Sequence, residues 1–118
     1  SRTNTSLQSL GLLNETQRIE MARFLAERLL QERFTDQERI NYLFTLIASR
    51  PAHSGELSAC QELVDSMRVR YRANPEDAAN LLSVGNLGNP SQLPKFEQAA
   101  WTQLTATALA SDAAILLY

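Results

Sequence analysis

Apolar positions along the chain recur every three or four residues, and nowhere do they alternate with a period of two. The clearest case is "DQERINYLFTLIASR", where Ile40, Leu43, Phe44 and Ile47 stand at i, i+3, i+4 and i+7 and so share one helix face. Thr35 and Glu38 have capping-box spacing at its start, and Pro51 sets its end near Arg50, because a proline disfavours helical geometry in the residue before it. Upstream, "NETQRIEMARFLAERLLQERF" predicts a longer helix capped by Asn14 with Gln17. Its buried stripe is Ile19, Ala22, Leu25, Ala26 and Leu29, widened by Met21, Leu30 and Phe34. Before it, "TNTSLQSLGLL" predicts a short helix interrupted by Gly11, with Leu7, Leu10 and Leu13 on one face.

Downstream, a helix is predicted from about Ser54 to Arg72, with Leu57, Cys60, Val64, Met67 and Tyr71 on one side and Leu63 adjoining. In "NPEDAANLLSVGN", Asn74 stands as the cap and Pro75 at the first helical position, followed by two acids and, at the expected stop, Gly85. The stretch "NLGNPSQLP", Asn86 to Pro94, is dense in turn formers and reads as a loop. A final helix covers "KFEQAAWTQLTATALA" with Trp101, Leu104 and Ala108 inward, and Asp112 caps a last short turn, "AAILLY". The expectation is an all-α, single compact domain of about five or six helices in an irregular, orthogonal bundle.

Composition narrows the function classes. A chain of 118 residues with 44% apolar and 20% charged residues can form one real core, and no internal repeat or shift in composition divides it. The net charge of -2 supplies no general attraction for nucleic acid or anionic membrane. No run of about twenty apolar residues could span a bilayer, so membrane insertion is not expected. One cysteine cannot form an internal disulfide. The chain starts at Ser1 and not at methionine, and so is read as part of something longer.

The single histidine, His53, and the single cysteine, Cys60, raise the question of a nucleophilic dyad. With a helix starting near Ser54, seven positions separate them by roughly 9 to 10 Å along the axis, too far for a hydrogen bond. Cys60 falls in an apolar stripe, where a free thiol behaves as a small hydrophobe, and His53 falls at a helix start with Glu56 in the capping-box position. One His and one Cys are too few for a zinc site. The acid pairs Asp36 with Glu38 and Glu76 with Asp77 sit in first turns, where the helix dipole favours them. The segment "RVRYRAN", with Arg68, Arg70, Tyr71 and Arg72, could touch phosphates and stack a base, but it closes a helix whose earlier turns hold acids, so nucleic acid is not expected as a partner. The sequons at Asn4 and Asn14 coincide with helix-start positions. No catalytic, cofactor-binding or metal residue is assigned, and no cofactor is called for.

The blocks "SRTNTSLQSLGLLNETQRIEMARFLAERLL", "RINYLFTLIASRPAHSGELSACQELV" and "AAWTQLTATALASDAAILLY" resemble the C-terminal uncharacterised domain of large planctomycete-type proteins, which often carry a cytochrome-c-like haem domain earlier in the chain. The first block is the most specific. Ser6 stands where that family commonly has proline, and His53–Ser54 where it has Thr-Pro. The resemblance implies an exported, multidomain parent in a periplasm-like or envelope compartment, with this chain as the C-terminal part of a larger helical domain. It implies no catalytic residue. The expected role is a non-catalytic interaction or scaffold module, with other domains of the parent as partners and homo-oligomer formation through apolar faces that a missing part would cover. The alternative is an accessory domain of an extracytoplasmic enzyme or redox assembly, in polysaccharide degradation or haem-linked electron transfer.

Overall fold

The computed structural model describes residues 13–85 and 88–116, with side chains described as far as residue 111. The predicted short helix over residues 3–13 lies almost wholly outside these. Five helices follow: α1 (Glu15–Glu32), α2 (Asp36–Ala48), α3 (Ser54–Ala73), α4 (Pro75–Leu82) and α5 (Lys95–Leu116). There is no strand among the described residues, and the domain is all-α.

Local chemistry sets the helix starts. At α1, Asn14 Oδ1 accepts from the Gln17 backbone N–H at 2.8 Å, and Gln17 Oε1 accepts from the Asn14 N–H at 3.1 Å. Thr35 and Glu38 form the same reciprocal box at α2. At the other end of α2, Ser49 adopts a left-handed conformation, φ 58°, ahead of Pro51, so the helix closes at Ala48. After α4, Gly85 has φ +90°, a left-handed conformation that side-chain-bearing residues rarely adopt. Glycine is favoured at that position.

α5 is the centre of the fold, with α1, α2, α3 and α4 all packed against it. Its second and third turns are buried almost all the way round: Gln98, Ala99, Ala100, Trp101, Thr102, Leu104 and Thr105 are inaccessible or nearly so. Small alanines and threonines let neighbouring helices come close, while Trp101 fills the space between them. The expected inward trio of Trp101, Leu104 and Ala108 therefore describes too narrow a face. The expected break at Asp112 is also absent. The helical backbone continues to Leu116, since no glycine or proline follows to stop it.

α2 buries Ile40, Leu43, Phe44 and Ile47, as its pattern predicts, and α3 buries Val64 and Tyr71 with Leu57, Cys60, Leu63 and Met67 packed at the core's edge. α1 corrects its predicted stripe. Ala22, Ala26 and Leu29 are fully buried, but Met21 is exposed and Phe34 is 86% exposed. Met21 projects well off the line through Ala22 and Ala26, and Phe34 lies beyond the helix end in the α1–α2 connection. Arg23 instead takes a buried place beside the stripe, 2% exposed. At α4, Asn74 occupies the cap position without capping: its side-chain amide donates back to the Arg70 carbonyl at 3.2 Å.

Candidate functional site

Three places concentrate chemically capable side chains. The first is Arg68, which sequence reasoning placed in a possible phosphate-binding patch. α3 carries it to the start of both α2 and α5. Its Nε and Nη2 donate to the two carboxylate oxygens of Glu97 at 2.6 and 2.7 Å. Nη1 and Nη2 donate to Asp36 at 2.7 and 2.9 Å, and Nη1 also donates to Asp65 at 3.0 Å. A guanidinium has five N–H groups, so every donor of Arg68 has a carboxylate partner. The Gln61 amide adds a bond to Asp36 at 2.8 Å, and Arg39 stands 3.6 Å from the same carboxylate. Arg68 and Arg39 both lie over the Trp101 ring, 5.7 and 5.8 Å from its centroid.

These bonds hold the Asp36 carboxyl at about 2, with the Arg68 hydrogen bonds as the largest cause, and raise the Arg68 guanidinium above its usual value through Glu97 and Asp36. The expectation that Asp36 serves only the α2 dipole is corrected by this pairing across 32 residues. The rest of "RVRYRAN" is also engaged. Tyr71 is 2% exposed, and its hydroxyl accepts from the Gln103 amide at 3.0 Å, so its ring offers no stacking face. Arg72 covers Phe96 at 4.3 Å, and Arg70 lies over Tyr71 and 3.9 Å from Asp77.

The second place is a groove of about 220 Å³ between α2, α3 and α5, lined mainly by Phe44, Ala59, Cys60, Leu63, Leu104 and Ala108. Cys60 is half-buried here, and burial pushes its thiol above the ordinary value. That is the opposite of an activated nucleophile. His53 is exposed at the α3 cap and is not among the groove-lining residues. Its backbone N–H donates to Glu56 Oε1 at 2.8 Å, and Arg50 grips the two Glu56 oxygens at 2.7 and 3.0 Å. Arg50 first, and the His53 amide second, lower the Glu56 carboxyl to about 2. The two unique residues therefore belong to separate features, a helix start and a groove wall.

The third place, which sequence reasoning missed, is the corner between α1 and α2. The Tyr42 hydroxyl donates to Glu32 at 2.6 Å and accepts from Arg28 at 2.7 Å. The Arg33 guanidinium stacks on the Tyr42 ring at 4.0 Å, and Arg28 stands 5.7 Å from the same ring. Phe34, next in the chain, projects into solvent from this platform. The sequence signal was present, since Phe34 follows the last full turn of α1, but the apolar periodicity absorbed it.

Among the described residues no group of three or more His, Cys, Asp or Glu is arranged to hold a metal, and no helix is long and apolar enough to cross a membrane. Fold and sites together define a small all-α domain whose charged clusters brace its own helices. The chain belongs to a family described as proteins of unknown function (DUF1553, PSD1), whose model matches residues 1–64. No curated protein and no solved structure matches it.

Proposed function

We propose that this domain is a non-catalytic interaction or scaffold module of a larger exported multidomain protein, of the planctomycete type that also carries a cytochrome-c-like domain. The observation that carries this reading is the α1–α2 corner. Phe34 is presented on a connection whose neighbours Arg28, Arg33 and Tyr42 are already held by one another. Exposed aromatic and arginine side chains that are ordered in advance lose little entropy on association, and such groups dominate interface energetics. Other domains of the parent chain are the partners this reading favours. Self-association through the exposed Phe24, Phe34 and Val69 is the secondary form of the same reading.

The test is a photo-crosslinking residue at position 34 in the full-length parent. Crosslinks to another domain of the same chain support the reading, and crosslinks between copies support its homo-oligomeric form. A position 34 that yields no crosslink, in a protein whose light-scattering mass matches the monomer, overturns it. For the domain alone, the monomer is 13.2 kDa.

A further inference from the structure

Phe34 is the most exposed of the large apolar side chains described, and the connection between α1 and α2 holds it out into solvent. The groove between α2, α3 and α5 is its complement in shape and chemistry. Phe44, Ala59, Cys60, Leu63, Leu104 and Ala108 make the walls apolar, around a volume of about 220 Å³. An apolar cavity of about 150 Å³ is enough to take a benzene ring. A phenyl side chain therefore fits, and seating one withdraws apolar surface from water on both features at once. The ring of the same molecule cannot reach. Phe34 precedes the start of α2 at Asp36, and Phe44 lies eight residues after Asp36, roughly 12 Å along the axis. An aromatic occupant has to come from another molecule.

The charges beside the two features are opposite. Arg33, next to Phe34, donates one N–H to the Glu32 carbonyl at 2.8 Å and has no ion-pair partner among the described residues. Glu62 is exposed on α3 one turn after the groove-lining Ala59, and it too lacks an ion-pair partner among the described residues.

We propose that Phe34 of one copy seats in the groove of a second copy, against the partner's Cys60 and the partner's Leu63, with Arg33 facing the partner's Glu62. This seating rests on the self-associating form of the function proposed above and supplies its contact residues. One aromatic anchor and one ion pair make a weak contact, with a dissociation constant on the order of 0.1 mM.

Cys60, the sole cysteine, lies at the contact and reports on it. In the 118-residue chain, maleimide labelling of Cys60 is expected to slow on the order of tenfold as protein concentration rises from about 10 μM to about 1 mM. A Phe34→Ser variant, altered at an exposed side chain, is expected to label at the fast rate throughout. Labelling that ignores concentration overturns the proposal, and so does a concentration dependence that Phe34→Ser retains. A Phe34→Cys variant tests the pairing directly. Under mild oxidation it is expected to form disulfides between copies that join position 34 to Cys60 more often than position 34 to itself, while a Gln37→Cys variant shows no such excess. The same distribution in both variants overturns the proposal. Photo-crosslinks from position 34 that reach only another domain of the parent, with labelling that ignores concentration, defeat this seating and leave the scaffold reading in place.

Discussion

Arg68 and Glu97, 29 residues apart, meet in a double hydrogen bond of 2.6 and 2.7 Å that ties the C-terminal third of α3 to the first turn of α5. The same guanidinium holds Asp36 at the first turn of α2, so one side chain fixes the relative positions of three helices. The side chains of Arg68, Glu97 and Asp36 retain only 15%, 19% and 26% of their exposure. Losing the arginine would leave Glu97 partly buried without this cation, and Asp36 with only the Gln61 amide at 2.8 Å and Arg39 at 3.6 Å. Arg68→Ala is expected to cost about 2 to 4 kcal/mol, less than a fully buried pair would because water still reaches the cluster. Arg70→Ala and Arg72→Ala, in the same segment but exposed, are each expected to cost less than about 1 kcal/mol. Urea denaturation of the three variants checks the contrast, and equal effects would contradict the bracing role.

Acid should weaken the domain in a defined window. The carboxyls of Asp36 and Glu56 are both lowered to about 2, by Arg68 and Arg50 respectively. A carboxyl whose folded value lies below its unfolded value binds fewer protons when folded, so its contribution is complete above the unfolded value and is lost as pH falls through the folded one. For these two groups that window runs from about pH 4.5 down to 2. The urea midpoint is expected to fall across it, and to fall less in Asp36→Asn and Glu56→Gln, which begin less stable. A midpoint with the same pH dependence in both variants would show that other groups control acid unfolding.

Two buried threonines on α5 should respond oppositely to the same substitution. Thr102 Oγ1 donates to the Gln98 carbonyl at 2.7 Å, whereas Thr105 Oγ1 is buried with no hydrogen-bond partner. Valine has nearly the same shape without the hydroxyl. Thr105→Val is expected to stabilise the domain by about 1 kcal/mol by removing an unsatisfied polar group, and Thr102→Val to be neutral or destabilising. Thermal unfolding of the pair checks the sign.

The legibility of the sequence differed sharply between residues. The Asn14–Gln17 and Thr35–Glu38 boxes, the four buried positions of α2 and the glycine at residue 85 were readable because each depends on neighbours within about one turn. Met21 departs from its predicted place, and Arg23 is buried without any sequence signal, because the orientation of α1 is set by where α5 lies against it, while Phe34 departs because the helix ends at Glu32. Asp36 and Arg68 were each given a local explanation through the helix dipole, which is valid for charge order along a helix but does not tell which opposite charge is nearby. The α1–α2 corner went unseen for the same reason, since Tyr42 and Arg28 come together only when the two helices turn back on each other.

The sequence by itself determined that the chain is helical, where most helices begin and end, and that its one histidine and one cysteine belong to different features. Capping, φ preference and apolar periodicity act within a few residues, so they can be read from a linear string. Only the tertiary structure decided that α5 is the central helix, that Arg68 joins Asp36 and Glu97, and that Phe34 faces solvent. Those outcomes depend on contacts between residues far apart in sequence, whose geometry exists only once the helices have packed.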